Sequence, residues 1–320
     1  MIRKFGIGFF IGMFFISISS QAQDPAFSQF YANPIYLNPA LAGSAQCPRV
    51  ILNYRNQWPG IPATYVTYAA SYDQYVDGIQ GGIGLQAYHD RAGSGIINTT
   101  SASGIYAYQL PVTRNMSVKA SMQATYYNRS IDWDQLTFGD QIHQRYGFIY
   151  QTAENPIQQN VNKLDLSTGF LAFSQRLYAG LAVHHLTQPN ESFFPNSESR
   201  LPRKYTAHAG ALIPMDKTDE GIGSISPNFI YQYQGGFNHY NMGLYINRGP
   251  ITGGVWYRWK DALIFLVGLY TDAFRFGYSY DVTVSRLGTQ TWGSHEISVT
   301  MMFPCKPKRR KFRQMQCPKF

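Results

Sequence analysis

Strict alternation of apolar and polar residues over long stretches is the feature that most constrains how this chain can fold. From Asn115 to Tyr126, every second residue is apolar, and the residues between are Asn, Ser, Lys, Gln or Thr. Successive side chains of a β-strand point to opposite faces, so this period of two predicts a strand with one apolar face. Similar stretches recur at 162–173, 237–248 and 292–303. They run to about ten residues or more, which exceeds the five or six typical of soluble strands and is enough for a tilted strand to cross a bilayer.

The composition agrees with a membrane protein that crosses with strands. Charged residues make up 14% of the chain and aromatic residues 16%, yet the mean hydropathy is only −0.25. After the first 22 residues, no stretch approaches the roughly 18 apolar residues of a membrane helix. In a membrane β-barrel, lipid-facing and lumen-facing residues alternate, which keeps the average hydropathy modest. A secreted β-sandwich would share this composition but not the strand length, so we predict an all-β transmembrane outer-membrane barrel.

We predict fourteen antiparallel strands, with twelve or sixteen as the alternative counts. If the first strand starts in the periplasm, the long connections 128–161, 186–201 and 285–291 all fall outside the cell. Long outer loops and short periplasmic turns are the usual arrangement in outer-membrane barrels. The predicted strands are 47–57, 62–76, 80–89, 96–110, 115–127, 162–173, 175–185, 202–215, 222–234, 237–248, 250–259, 262–271, 274–284 and 292–303.

The first residues predict a signal peptide that is cleaved after Ala22. Arg3 and Lys4 precede an apolar run, and Ser20-Gln21-Ala22 forms a small-x-small cleavage site. The apolar run is short for an uncleaved membrane helix, which needs about 20 residues. The predicted organisation is a signal peptide at 1–22, an irregular segment at 23–46, the barrel at 47–303 and a basic tail at 304–320.

Residues 23–46, "QDPAFSQFYANPIYLNPALAGSAQ", follow neither a helical nor a strand period. An irregular backbone cannot face lipid, and the lumen of a fourteen-stranded barrel needs filling or forms a channel. We therefore predict that this segment folds back into the periplasmic mouth as a lumen plug. It is either a structural element that stabilises the barrel or a gate and partner surface. The residues expected to pack or form hydrogen bonds there are Phe27, Phe30, Tyr31, Asn33, Tyr36 and Asn38.

The C-terminal tail carries seven basic residues and no acidic one: Lys306, Lys308, Arg309, Arg310, Lys311, Arg313 and Lys319. One interpretation is a solvated tail lying against anionic lipid head groups. The other is a docking tail for an acidic periplasmic partner, with Lys308, Arg309 and Arg310 as candidate contacts. The predicted compartment excludes nucleic acid as the partner.

Three cysteines, Cys47, Cys305 and Cys317, lie near the predicted ends of the barrel and in the tail. The oxidising periplasm favours a disulfide. Barrel closure places the first strand beside the last, so a Cys47–Cys305 bridge would join the seam. A Cys305–Cys317 bridge would instead close the tail into a loop, and the sequence does not choose between them.

No pattern of catalytic residues stands out, and we expect no enzymatic activity, cofactor or metal. His184 and His185 are adjacent in a predicted strand, so their side chains should point to opposite faces and not share an ion. Asp132, Asp134, Asp140 and His143 fall in one outer loop, where a calcium or ligand site competes with a simple solvated loop.

Three stretches resemble the PorP/SprF family, membrane proteins of type IX secretion and gliding systems. They are "QDPAFSQFYANPIYLNPALAG" (23–43), "RNQWPGIPATYVTYAASYD" (55–73) and "GGIGLQAYHDRAG" (81–93), and the terminal "CPKF" is similar too. The resemblance covers essentially the whole mature chain. It implies a non-enzymatic outer-membrane barrel that acts with the secretion machinery, and some members export or hold large surface adhesins.

The favoured hypothesis is that outer loops 128–161 and 186–201 hold a secreted adhesin. Phe193 and Phe194 would form an exposed hydrophobic anchor, or alternatively dip into the bilayer interface. The N-terminal segment and the tail would contact periplasmic secretion or motor components. The competing hypothesis is a gated transporter, because "NPALAG" (38–43) resembles part of the N-terminal hatch of fatty-acid-transport barrels. Polar inward residues, Lys119, Gln123, Lys163 and Asp165, argue against a hydrophobic substrate.

Overall fold

The computed structural model describes residues 24–45, 47–153, 158–194, 197–215, 223–271, 273–284 and 291–305. Fourteen long antiparallel strands pair in chain order, and the first also pairs with the last, so the sheet closes into a barrel. This confirms the predicted fold and strand count. The strands are β1 (Arg49–Gln57), β2 (Tyr65–Val76), β3 (Gly81–Ala92), β4 (Ile97–Thr113), β5 (Met116–Ile131), β6 (Asn160–Ser174), β7 (Leu177–His184), β8 (Lys204–Ala211), β9 (Gly223–Gln234), β10 (Phe237–Arg248), β11 (Ile251–Arg258), β12 (Ala262–Tyr270), β13 (Phe274–Thr283) and β14 (Ser294–Met302).

The remaining elements are short. A two-residue strand at Ile213–Pro214 continues the pairing of β8 along β9, and Ile142–His143 pairs with Gly147–Phe148 in a small hairpin. Ahead of β1 come a 3-10 turn at Phe30–Ala32, a helical turn at Pro34–Leu37 and a second 3-10 turn at Pro39–Leu41. In the part of the chain that the structure describes, no helix has the length and apolar character needed to cross a membrane.

Side chains alternate between the lumen and the outer surface along each strand, as the sequence period requires. On β5, Ser117, Lys119 and Gln123 point inward and are buried, whereas Met122 is 68% exposed on the outer face. On β6, Asp165 is buried in the lumen and Leu164 is exposed outside. The apolar faces of the strands therefore form the belt that contacts lipid, and the polar faces line the lumen.

The two ends of the barrel differ in their connections. One end, here called the loop end, carries the connections 58–64, 93–96, 132–159, 185–203, 235–236, 259–261 and 284–293. The other, the turn end, carries the connections 77–80, 114–115, 175–176, 212–222, 249–250 and 271–273 and both ends of the barrel sequence. The long connections 132–159 and 185–203 thus share the loop end.

A disulfide joins Cys47 to Cys305 at the turn end, with the two Cα atoms 5.5 Å apart. These cysteines flank the seam where β1 pairs with β14, from Arg49 opposite Met302 to Gln57 opposite Ser294. Of the two pairings that the sequence left open, the structure therefore contains the one that bridges the seam. Cys317 lies outside the described residues, as do Lys308, Arg309 and Arg310.

Candidate functional site

The N-terminal segment, residues 24–45, runs through the lumen from one end to the other. Gly43 contacts β2 at the turn end, while Asp24 contacts His185, Lys204 and Gln234, which lie at the loop ends of β7, β8 and β9. The prediction placed this segment in the mouth beside the chain termini; the structure extends it through to the opposite end. The physical reason is that inward polar side chains offer partners to its backbone along the whole path.

Close backbone packing fixes the segment at the turn end. The amide of Gly43 donates to Asp73 at 2.7 Å, and the guanidinium of Arg49 donates to the same carboxylate at 2.6 Å. The ammonium of Lys119 donates to the carbonyl of Ala42 at 2.9 Å. Gly82 of β3 lies so near that a Cβ there would overlap the Ala42 carbonyl oxygen. The Gly-rich start of β3 is therefore needed to let the segment enter.

Asn38 ties the middle of the segment to β6 and β7. Its side-chain nitrogen donates to the backbone carbonyls of Phe170 at 3.1 Å and Leu181 at 3.3 Å, and its oxygen accepts from the amide of Ala40 at 2.9 Å. The ring of His208 lies 3.0 Å from the same nitrogen. Asn33 is also buried and accepts a hydrogen bond from Gln86, a side-chain partner. Asn38 thus bonds backbone carbonyls of the wall, whereas the side-chain oxygen of Asn33 accepts from another side chain.

Aromatic packing holds the segment against the wall formed by β6 to β12. The ring of Phe30 lies 4.8 Å from Trp256, and Tyr31 contacts Tyr178 and Tyr245 at 5.7 and 6.4 Å between centroids. Trp256 is fully buried although it points into the lumen. Aromatic side chains bury more apolar area than other residues, so these contacts dominate the free energy that holds such a short segment in the lumen. The members of this buried cluster are Phe30, Tyr31, Leu37, Ala40, Leu41, Leu171, Phe173, Tyr178, Ile230, Tyr245, Trp256 and Ile264.

A buried network of charged side chains surrounds Ser28. The amide of Ser28 donates to Glu296 at 2.7 Å, and its hydroxyl donates to Asp281. Arg55 bridges the two carboxylates, at 3.0 Å from Asp281 and 3.2 Å from Glu296. Arg258 reaches the Ser28 oxygen at 3.2 Å. Because these four charged groups come from β1, β11, β13 and β14, a single residue of the segment links the two sides of the seam.

A second ionic cluster, centred on Asp24, closes the path at the loop end. One oxygen of Asp24 lies 2.8 Å from Nε2 of His185, and Nδ1 of that ring lies 2.8 Å from Asp165. Lys204 reaches the same Asp24 oxygen at 3.6 Å. Burial disfavours the charged imidazole, but the carboxylates of Asp24 and Asp165 outweigh this effect and raise the pKa of His185 to about 10. Burial likewise opposes the charge on Asp24, yet His185 and Lys204 hold the pKa of its carboxyl far below the ordinary value.

The expectation that His184 and His185 point to opposite faces is wrong. β7 ends at His184, and His185 adopts a positive φ of 59°, which turns its ring back toward the lumen. Both side chains are mostly buried, and their ring centroids lie 6.4 Å apart. Period-two reasoning fails here because the strand stops one residue earlier than predicted. No sequence signal paired His185 with Asp24.

Connection 185–203 contacts connection 132–159 through aromatic side chains and the end of β5 through an ion pair. Trp133 stacks on Phe138 with ring centroids 5.9 Å apart and meets the edge of Phe194 at 6.2 Å. Arg129 forms an ion pair with Glu191. Phe193 is half-buried and Phe194 is exposed. The exposed apolar surface is larger than this pair, since the small hairpin adds Ile142, Tyr146, Phe148, Ile149 and Tyr150.

The acidic residues of loop 132–159 do not converge. Asp132 accepts hydrogen bonds from the amide of Asp134 and from Gln135, and Asp140 accepts from Thr152 and Ala153. Among the described residues, no group of three His, Cys, Asp or Glu side chains is arranged to hold a metal ion. These aspartates organise turns within the loop.

The lumen and the loops together define a class of protein: a fourteen-stranded membrane β-barrel whose lumen contains its own N-terminal segment. The sequence matches the family model of the type IX secretion system membrane protein PorP/SprF over residues 19–301. The chain belongs to this family, and it is an outer-membrane component of the type IX secretion system. No curated protein matches the chain.

Solved structures that resemble this one are outer-membrane barrels of low sequence identity. The Ralstonia pickettii toluene transporter TbuX shares 13% identity, covers 84% of this chain and 93% of its own, and has a TM-score of 0.49. Omp33 of Acinetobacter baumannii shares 11%, with coverages of 81% and 100% and a TM-score of 0.44. A Pseudomonas aeruginosa FadL homologue shares 12%, with coverages of 80% and 90% and a TM-score of 0.42.

Proposed function

We propose that this barrel anchors a large secreted adhesin at the cell surface and that its lumen is not the secretion conduit. The observation that carries the proposal is the filled lumen: the N-terminal segment forms hydrogen bonds with Asp73 at the turn end, with the backbone of β6 in the middle and with His185 at the loop end. A polypeptide in transit would have to displace all of these contacts. Membership of a type IX secretion family supports a role in handling secreted protein.

The proposed binding surface is the loop end, which in this proposal faces the cell exterior. Outer-membrane barrels carry their long loops outside, and connections 132–159 and 185–203 share this end. Their exposed aromatic side chains, including Tyr146, Phe148 and Phe194, offer the kind of apolar anchors that dominate protein interfaces. The interface would be non-enzymatic, held by burial of these side chains against the adhesin.

The turn end would then face the periplasm and meet other components of the secretion system. The basic tail, with Lys308, Arg309 and Arg310, begins directly after the seam disulfide at Cys305. The seven basic residues of this tail, with no acidic residue among them, suit an acidic protein partner. Changing these three residues to Gln should reduce co-purification of periplasmic secretion components without affecting retention of the adhesin at the surface.

The central experiment changes the exposed aromatic side chains of the loops and measures adhesin retention on intact cells. We expect Phe193→Ala with Phe194→Ala to release part of the adhesin, and Tyr146→Ala with Phe148→Ala to release more. The matched control is Trp259→Ala, which removes an exposed aromatic side chain from the loop-end connection 259–261. Full retention by both loop variants, with the barrels normally inserted, would contradict the proposed surface.

The transporter hypothesis is favoured by one observation, the apolar inward surface of Ile230, Trp256 and Ile264. If the N-terminal segment moved aside, this surface would become an apolar pocket, the kind that binds hydrophobic ligands. Uptake of a radiolabelled aromatic or fatty acid by vesicles containing the purified protein would support this function. Uptake no faster than in empty vesicles would leave the anchor as the proposed function.

A further inference from the structure

Both stems of loop 185–203 are attached to the first described residue of the chain. His185 is the first residue of this connection, and Lys204 is the first residue of β8, directly after it. Both contact the same carboxylate oxygen of Asp24, at 2.8 and 3.6 Å. The backbone amide of Asp24 also donates to Gln234 on the neighbouring strand β9 at 3.1 Å. The carboxylate thus contacts both ends of the loop, next to the position where His184 of β7 pairs with Lys204 of β8.

Further contacts around Asp24 support this attachment at the loop end. Lys204 also lies over the ring of Tyr36, 5.0 Å from its centroid, and the hydroxyl of Tyr36 donates to the carbonyl of Pro25 at 2.5 Å. Thr187, two residues after His185, donates to Asp165, which also forms a hydrogen bond with the His185 ring. The N-terminal segment and the stems of the loop therefore form one bonded unit.

The start of the N-terminal segment reaches the loop end of the barrel. Asp24 and Pro25 are half-buried, and Ala26 is exposed, whereas residues 27–31 are buried. Exposure thus begins where the segment meets the loop end, and residues 24–26 form the floor of the opening between the loops. A chain that only filled the mouth at the turn end would place these residues at the opposite side of the membrane.

We infer that the start of the lumen segment, residues 24–26, lies on the cell-surface side of the barrel, and that Asp24 is a positioning residue for loop 185–203. This inference rests on the proposed orientation of the loop end. It adds an interaction surface that includes residues 24–26, and it assigns the segment a role beyond filling the lumen. The partner that this surface fits is the same secreted protein that contacts the loops.

Cysteine labelling on intact cells tests the location. In a Cys317→Ser background, a membrane-impermeant maleimide should label Ala26→Cys and Ser199→Cys on intact cells. Gln175→Cys, in a turn-end connection, should react only after the outer membrane is permeabilised. If Ser199→Cys is labelled but Ala26→Cys is not, or reacts only after permeabilisation, the inference is wrong. If Gln175→Cys alone is labelled on intact cells, the proposed orientation of the barrel is wrong.

Hydrogen exchange of the purified protein tests the positioning role. The Asp24→Ala variant loses the charge-assisted bonds to His185 and Lys204. Amide hydrogen exchange in residues 186–194 and 197–203 of this variant should therefore be about tenfold faster or more. Asp24→Glu, which keeps the carboxylate, should restore much of the protection. Asp261→Ala removes a loop-end carboxylate that pairs with Arg258 and is the matched control, with unchanged exchange in loop 185–203. Equal exchange in Asp24→Ala and the wild type would overturn the positioning role.

Discussion

The carboxylate of Asp24 lies 2.8 Å from Nε2 of His185, although 161 positions separate the two residues in the chain. The contact forms only because the N-terminal segment crosses the whole lumen. It brings Asp24 to the loop that we propose as a binding surface. The charge of this imidazole therefore stabilises the end of the segment, together with Lys204 and Gln234.

Stability should fall at alkaline pH because of His185. Its pKa is raised from the ordinary value near 6.5 to about 10, so its contribution is complete below about pH 6.5 and is lost as pH rises through about 10. The charged and titratable groups near it are Asp24, Asp165, Lys204, His184 and Glu191. Because the pKa of the Asp24 carboxyl is lowered, its own contribution is complete above about pH 4 and declines progressively as pH falls below that.

The measurement is the Tm of the wild type and of His185→Gln in detergent, compared from pH 6 to 11. We expect the wild type to be more stable at neutral pH and the difference to vanish above about pH 10. A difference that stays constant across this range would mean that the charge on the ring does not contribute.

Removing the N-terminal segment should open the lumen. Deletion of residues 24–44 would remove the contacts that the segment makes with Asp73, Glu296 and Arg258, and these side chains would then face a water-filled channel. Single-channel recordings in lipid bilayers should then show stable conductance, with reduced current at high concentrations of a large inert polymer. The wild type should remain closed. A deletion variant that is inserted but does not conduct would contradict the lumen plug.

A side chain at Gly82 should disturb the segment, because its Cβ would occupy the position of the Ala42 carbonyl. We expect Gly82→Ala to reduce the free energy of unfolding by about 1–3 kcal/mol, the usual effect of overpacking. Gly104→Ala is the matched control: it lies on the neighbouring strand β4, and a Cβ there would meet no atom within 4 Å. Urea unfolding followed by tryptophan fluorescence measures both. Equal stability of the two variants would show that the segment adapts to the added methyl group.

Loss of the seam disulfide should destabilise the barrel without changing its fold. Cys47 and Cys305 are 258 positions apart, so the bridge restricts most of the unfolded chain. We expect the double variant Cys47→Ser with Cys305→Ser to lose about 2–4 kcal/mol of stability. Cys317→Ser is the control and should match the wild type. Peptide mapping without reduction checks the pairing directly, and recovery of a Cys305–Cys317 peptide would contradict it.

The sequence by itself determined the barrel. Alternation such as that of Ser117, Lys119 and Gln123 with Met116, Met122 and Tyr126 is a local property, since the period of two follows from strand geometry alone. Fourteen such stretches and the parity of the long connections were sufficient to predict the closed sheet and its two different ends. The aromatic and Asn-Pro character of residues 23–46 also indicated, without any structure, that this segment had to be shielded from lipid.

Only the tertiary structure decided which partners meet inside the barrel. The pairing of Cys47 with Cys305, the path of the segment to the loop end and the contact of Asp24 with His185 all join residues that are distant in sequence. The sequence pattern misplaced the ring of His185, because one residue of positive φ after β7 reverses the direction of the side chain. Such contacts depend on the shape of the closed lumen and on the charged side chains that line it. The alternation of apolar and polar residues in the sequence contains no information about either.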